Sequence, residues 1–146
     1  IGINNSMNSK NLGDIGEAYA AAKMLELGWV VLKPLGDNQR YDMIVDRGKG
    51  FEKVQVKSTS LKDGCIIAST HSIYNTTKIS KSVQYTINDV DLFCIFCRDT
   101  RDVFIVPSID YLEDDNITIR KSIKLRIEPS KNNQQKNIKW AHSYKV

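Results

Sequence analysis

The chain is poor in the residues that staple or anchor small proteins. It has three cysteines and two histidines among 146 residues, which excludes a disulfide-built secreted scaffold and, with no second CxxC, a paired-CxxC zinc module. No apolar run approaches the roughly 20 residues a membrane span needs, and the start IGINNSMNSK lacks the apolar core of a secretory signal. Reduced thiols in a cytoplasmic setting follow as the expectation, with a bacterial nucleoid or an organellar matrix equally compatible. Met7 is a plausible natural start, so residues 1–10 are expected to be disordered or to include an appended leader. There is no internal repeat, no linker composition and no phosphate-cradling glycine loop. Gly48-Lys49-Gly50 lacks both the spacing and the following helix that such a loop requires.

What is present is the balance of a soluble globular protein, 41% hydrophobic and 26% charged, in a chain of ordinary length for one domain spanning 1–146. The net charge of +4 is unevenly spread. Residues 117–146 form a basic C-terminal segment with eight Lys or Arg against the single acid Glu128. A basic end on an acidic body suits a polyanionic partner, or simply a solvated charged surface.

Residues 11–27 read as a helix. Ile15, Ala18, Tyr19, Ala22 and Leu25 form its apolar stripe, Asn11 or Asp14 its cap, and Gly28 its C-terminal stop. Glu17 falls in an early turn, where the helix dipole favours a carboxylate. Short strands follow at 29–32, 41–46 and 51–57. GCIIAS at 64–69 is a further strand, 70–82 a polar loop, and 80–90 a possible helix. DLFCIFC at 91–97 is nearly continuous apolar sequence, the mark of a strand buried on both faces. A strand at 103–106, a short helix from Pro107 to Leu112 and an alternating basic strand within 117–127 complete the reading.

The stretch YDMIVDRGKGFEKVQVKST concentrates the chemistry. With residues 47–50 as the hairpin loop, Asp46 pairs with Phe51, Ile44 with Lys53, and Asp42 with Gln55. Gln55 and Lys57 share a strand face by parity, so Asp42, Gln55 and Lys57 cluster. Two readings fit. One is an exposed sheet face with a satisfied Asp–Lys pair, worth about 0–1 kcal/mol. The other is a Mg²⁺ site, with Asp42 as a hard oxygen ligand, Gln55 adding an amide oxygen, and Lys57 steadying a phosphate or a water.

NLGDIGEAYAAAKMLELGWVV, the later Tyr41-Asp42 and VQVKST, in that order, resemble the PD-(D/E)XK nuclease superfamily. Within it they are most similar to the group I intron-encoded homing endonucleases, which carry a helical Glu in a G-x-x-G-E run and Q-V-K as the last motif. The resemblance covers residues 12–59. It implies an α/β (α+β) restriction-endonuclease-like core of αβββαβ order and Mg²⁺-dependent hydrolysis of DNA phosphodiesters, with Mn²⁺ able to substitute. By motif position Asp42 is the central metal ligand, Gln55 stands at the usual acidic place, and Lys57 is the catalytic lysine. Glu17 helps hold the metal from the helix, and the Val56 backbone carbonyl lies close to it. Tyr41, not proline, precedes Asp42, and Gln55 removes one negative charge from the site.

The implied partner is double-stranded DNA. Candidate contacts are Arg40, Arg47, Lys49 and Lys53 around the hairpin, Ser58 and Thr59 after the lysine, and Arg120, Lys124 and Arg126 on the basic strand. One active site per chain and two strands per duplex favour a homo-oligomer, a dimer or tetramer. Alternatives within reach of the same sequence are a junction-resolving or restriction-type nuclease, a non-catalytic DNA-binding module that keeps the fold, and an interaction protein whose Asp–Lys face is merely structural. Cys94-x-x-Cys97 is poor zinc geometry, because residues three apart on a strand face opposite sides.

Overall fold

The structure, a computed structural model, describes residues 8–75 and 77–146. In chain order the elements are helix α1 (Ser9–Glu26) and strands β1 (Val30–Leu32), β2 (Met43–Asp46), β3 (Phe51–Thr59), β4 (Leu61–Lys62), β5 (Cys65–Ser69), β6 (Ser72–Asn75), β7 (Ser80–Val83), β8 (Leu92–Cys97) and β9 (Val103–Pro107). A short 3-10 turn (Ser108–Tyr111), strand β10 (Ser122–Arg126) and a last 3-10 turn (Ala141–Ser143) follow. Asn8 caps α1, and Ser9 and Lys10 belong to it. Residues 1–7, including the proposed start Met7, lie outside the described residues.

The apolar run at 92–97 explains the architecture. Every residue of β8 is buried, because the strand is covered from both sides. Leu92, Cys94 and Phe96 pack toward α1, with Ala20, Met24, Met43, Val45, Val54 and Val56. Phe93, Ile95 and Cys97 pack the other way, against Ile66 and Ala68 of β5 and Ile123 and Leu125 of β10. The central sheet has the order β1-β2-β3-β8-β9. Its β3–β8 pair is parallel and its other pairs are antiparallel. A second sheet, β10-β5-β4, covers the face opposite the helix. The result is a mixed α/β architecture with the helix on one face of the central sheet and the second sheet on the other. Cys94 and Cys97 enter different cores, so they cannot share a ligand.

Two segments differ from expectation. Residues 70–82 are not a plain loop and 80–90 are not helical: β6 and β7 form a hairpin with Ser72 opposite Val83, and residues 86–89 form a turn, with Asp89 accepting from the Thr86 N–H at 2.8 Å. Ser, Thr and β-branched residues are weak helix formers. A ribbon without a period-2 hydrophobic pattern also gives no strand signal in the sequence. The crossover joining parallel β3 and β8 thus carries β4–β7, and α1 is the sole α-helix among the described residues.

The helix itself starts earlier than expected. Asn8, not Asn11 or Asp14, is its cap, accepting from the Asn11 N–H at 2.9 Å. Its fully buried residues are Gly16, Ala20 and Met24; of the predicted stripe, Ile15 and Tyr19 pack against the core, while Ala18, Ala22 and Leu25 are exposed. Gly and Ala count as blanks in a search for apolar stripes, yet small residues are what let a helix lie close on a sheet. A Cβ on Gly16 would come within 3.0 Å of Ser58 Cβ. Gly28, at φ +79°, ends the helix as expected.

Candidate active site

The hairpin register is the predicted one where the ladder exists: Asp46 opposite Phe51, Ile44 opposite Lys53 and Met43 opposite Val54. The ladder stops there, so Asp42 does not pair with Gln55. Its backbone N–H donates to the Val54 carbonyl at 2.9 Å, and its carboxylate Oδ2 accepts from the Val56 N–H at 2.7 Å. The carboxylate replaces the missing ladder partner at the point where β2 leaves β3. In a strand the N–H and C=O of one residue point to the same side, so the Val56 carbonyl faces the same strand edge as Asp42.

Asp42 is half-buried, and burial raises its pKa above the ordinary carboxylate range. The Val56 N–H opposes that rise, the charge of Glu17 adds to it, and the ammoniums of Lys57 and Lys33 oppose it. Glu17 and Asp42 therefore feel each other although one comes from the helix and the other from the hairpin. Because α1 begins at Ser9, Glu17 lies in its third turn, beyond the reach of the N-terminal dipole. The early-turn expectation is corrected. Glu17 is held instead by Lys33, whose Nζ donates to Oε2 at 2.5 Å. Glu17, Lys33 and Asp42, with the loop at 34–41, line a cleft of about 470 Å³.

Lys57 reaches the same place from β3. Burial lowers its pKa, and Asp42 partly restores it. Its ammonium lies 5.9 Å from the centre of the Tyr85 ring, and Arg40 stands over the same ring at 5.0 Å. Gln55 shares the strand parity of Lys57 and lies opposite Phe93, and its side chain makes no hydrogen bond among the described residues. The structure thus brings Asp42, Glu17 and Lys57 into electrostatic contact, bonds Val56 to Asp42, and leaves the Gln55 amide uncommitted. Sequence reasoning missed Lys33 and Tyr85. Neither belongs to a recognisable motif; Lys33 is only a charged residue between an apolar strand and a proline.

The donor set is one a hard divalent cation fits. It offers two carboxylates, an uncommitted amide oxygen and a backbone carbonyl, and all are oxygens. A half-buried carboxylate destabilised by a second acid is also the electrostatic situation that a cation relieves. Among the described residues there is no cluster of three His, Cys, Asp or Glu, so the set depends on the neutral oxygens.

The candidate DNA contacts divide by availability. Arg47 is forked onto Glu52 at 2.5 and 2.8 Å and covers Trp29. Arg40 is paired with Asp89 at 2.7 Å. Lys53 Nζ donates to the Asn88 carbonyl. Ser58 accepts from Arg98 at 3.4 Å, and Thr59 Oγ1 donates to the Ile67 carbonyl at 2.8 Å. Lys49 is exposed in the turn. Lys124 and Arg126 lie on one face of β10, with Ile123 and Leu125 buried on the other, as the alternation predicted. With Arg120, Lys121 and Lys139 they line a groove of about 960 Å³, which also contains Asp110 and Glu113.

A helix acid, a hairpin aspartate and a lysine three residues beyond the Val54 position, all on a mixed sheet, define the class: a nuclease of the restriction-endonuclease-like fold. The chain belongs to the PD-(D/E)XK endonuclease family, whose model matches residues 7–146. Among solved structures it is similar to that of a bacterial homing endonuclease, I-Ssp6803I, with 28% identity and a TM-score of 0.72, covering 95% of this chain and 89% of that one. No curated protein matches the chain. No helix among the described residues is long and apolar enough to cross a membrane.

Proposed function

We propose that the chain is a site-specific DNA endonuclease of the homing kind, which hydrolyses phosphodiesters in double-stranded DNA with Mg²⁺. The observation that carries the reading is the coupling of Asp42, anchored by the Val56 N–H at 2.7 Å, to Glu17 and Lys57. The family match and the 28% identity to a homing endonuclease support it. Asp42 and Glu17, with the Gln55 amide oxygen and the Val56 carbonyl, would hold the ion. When bound, it would supply Lewis-acid polarisation of the phosphate and a water made more acidic. Asp42 keeps its carboxylate fixed through Val56. Lys57, whose proton is held less tightly than an ordinary lysine's, faces the phosphate as a hydrogen-bond donor and can exchange a proton there. The β10 groove neutralises backbone phosphates through Lys124 and Arg126. Two copies of the chain would meet the two strands of a duplex.

A second reading, a DNA-binding module without catalysis, is favoured by the engagement of Glu17 with Lys33 and by the neutral Gln55. A junction-resolving or restriction-type nuclease differs only in its DNA target. Cleavage of long mixed-sequence DNA by the purified protein with Mg²⁺ or Mn²⁺ decides among them. The wild type is expected to cut, and Asp42→Ala and Lys57→Ala to bind DNA without cutting. A wild type that binds in a salt-dependent way and cuts no substrate establishes the binding module. No DNA binding at all overturns both.

A further inference from the structure

The cleft contains a cation of its own. Lys33 follows β1 directly, and its ammonium sits 2.5 Å from Glu17 Oε2. It also acts on Asp42, so one lysine serves both acids. Asp37 lines the cleft with Glu17 and Asp42. Against these three acids stand Lys33 in the lining and Lys57 beside Asp42, so the cleft is net negative, and Lys33 is the cation bound directly to one of its acids. Lys57 is held by burial and by the Tyr85 ring. Lys33 is 56% exposed and its partner 31%, and its pairing is water-screened and weak. The ammonium takes one of the two Glu17 oxygens and sets a positive charge beside any cation that this carboxylate would hold, so the two oppose each other.

We propose that Lys33 is a displaceable counter-ion: it holds the Glu17 carboxylate and competes with a divalent cation for it. The inference rests on the reading of Glu17 and Asp42 as metal ligands. It makes Lys33 a positioning residue, acting on the ion through Glu17.

Calorimetric titration of the full chain with Mn²⁺ alone, without DNA, tests it. Lys33→Met is expected to tighten Mn²⁺ binding about three- to fivefold, the range a half-exposed ion pair allows. Lys33→Gln, which keeps most of the stem, should do the same. In a Glu17→Gln background the same replacement should change affinity by less than about twofold, because there is no longer a carboxylate to compete for. Binding detectable only after Lys33 is replaced also supports competition. Unchanged or weaker binding in both Lys33 variants overturns it. So does an equal gain with and without Glu17, since Lys33 would then act only through its general field. The underlying site reading fails separately, if Asp42→Ala binds Mn²⁺ as tightly as the wild type or no variant binds it; the proposal falls with it.

Discussion

Gly16 is where helix and hairpin come closest, and replacing it tests how far the site depends on that approach. A Cβ there would lie 3.0 Å from Ser58 Cβ, 3.4 Å from its Oγ and 3.7 Å from its Cα. Carbon atoms in contact prefer about 3.5–4.0 Å, so Gly16→Ala requires α1 and β3 to give by a few tenths of an ångström. Two effects then oppose each other in stability. Alanine gains about 0.8–1.0 kcal/mol over glycine inside a helix, while overpacking costs about 1–3 kcal/mol. The net lies between no change and a loss of about 2 kcal/mol. Gly13 is the internal control. Nothing lies within 4 Å of its Cβ position, so Gly13→Ala should show the gain alone, a rise in melting temperature of about 2–4 °C.

The effect on function should exceed the effect on stability. Gly16 precedes Glu17 and Ser58 follows Lys57, so the displacement changes the separation between the helix acid and the strand lysine. A misplacement of about 1 Å can cost on the order of a hundredfold in rate. Cleavage rates and thermal melts on the same preparations are the assay. Gly16→Ala is expected to cut about three- to tenfold more slowly while remaining folded, and Gly13→Ala to cut normally and melt higher. Adding Ser58→Gly to Gly16→Ala removes the atoms the new methyl meets and should recover most of the rate. If Gly16→Ala cuts at the wild-type rate and gains as much stability as Gly13→Ala, the close approach does not set the site and the reasoning is wrong.

The raised pKa of Asp42 has a consequence for stability. Burial and Glu17 make its ionised form costly in the fold despite Val56, Lys57 and Lys33, so the native state binds this proton more tightly than the unfolded chain does. The cost is present in full above the folded pKa, fades as pH falls through it, and is gone once the unfolded carboxyl is also protonated, below about pH 4. Asp42→Asn should therefore melt higher than the wild type at pH 7.5 in metal chelator, with the gap closing toward acid pH; a lower melting temperature at pH 7.5 would contradict the shift. In DNA binding, Lys124→Gln is expected to flatten the plot of log affinity against log salt by about 0.9 for each phosphate it no longer neutralises. Arg47→Gln should leave that slope alone and instead reduce stability, because its guanidinium is spent on Glu52 and Trp29. Filter-binding titrations between low and moderate salt separate the two, and an equal change in slope for both would remove β10 from the interface.

Legibility in the sequence followed the strength of the physical signal. The doubly buried β8 was plain in LFCIFC because burial on both faces leaves no polar position within the strand. The hairpin register followed from the RGKG loop, and the alternation of β10 from its strict period of two. The helix face was only half legible: Ile15 and Tyr19 pack on the core as expected, but Gly16 and Ala20 bury by being small, which hydrophobicity does not measure. The β6–β7 ribbon was hidden because its residues show no apolar alternation. At the site, Asp42 and Lys57 were legible from spacing and Glu17 from the family pattern. Lys33 was not, since its place beside Glu17 is set by where β1 ends against α1, a tertiary relation with no local spacing to betray it.

Gln55 is best understood through the same charge balance. A carboxylate at that position would add a fourth acid to Glu17, Asp37 and Asp42, against Lys33 and Lys57. Asp42 is already hard to ionise because of burial and Glu17, and a further acid would raise its pKa further and add to the negative charge of the cleft. A neutral amide keeps an oxygen on the strand without that cost, and the present amide is free of other hydrogen bonds among the described residues. On the proposed reading, metal affinity then depends on only two carboxylates, one of them shared with Lys33. In that setting a single ammonium can matter. Where three carboxylates hold an ion, giving up one to a lysine is a modest perturbation. Where two do, it halves the anionic ligands, and the lysine at the end of β1 becomes a determinant of when the cleft can be loaded.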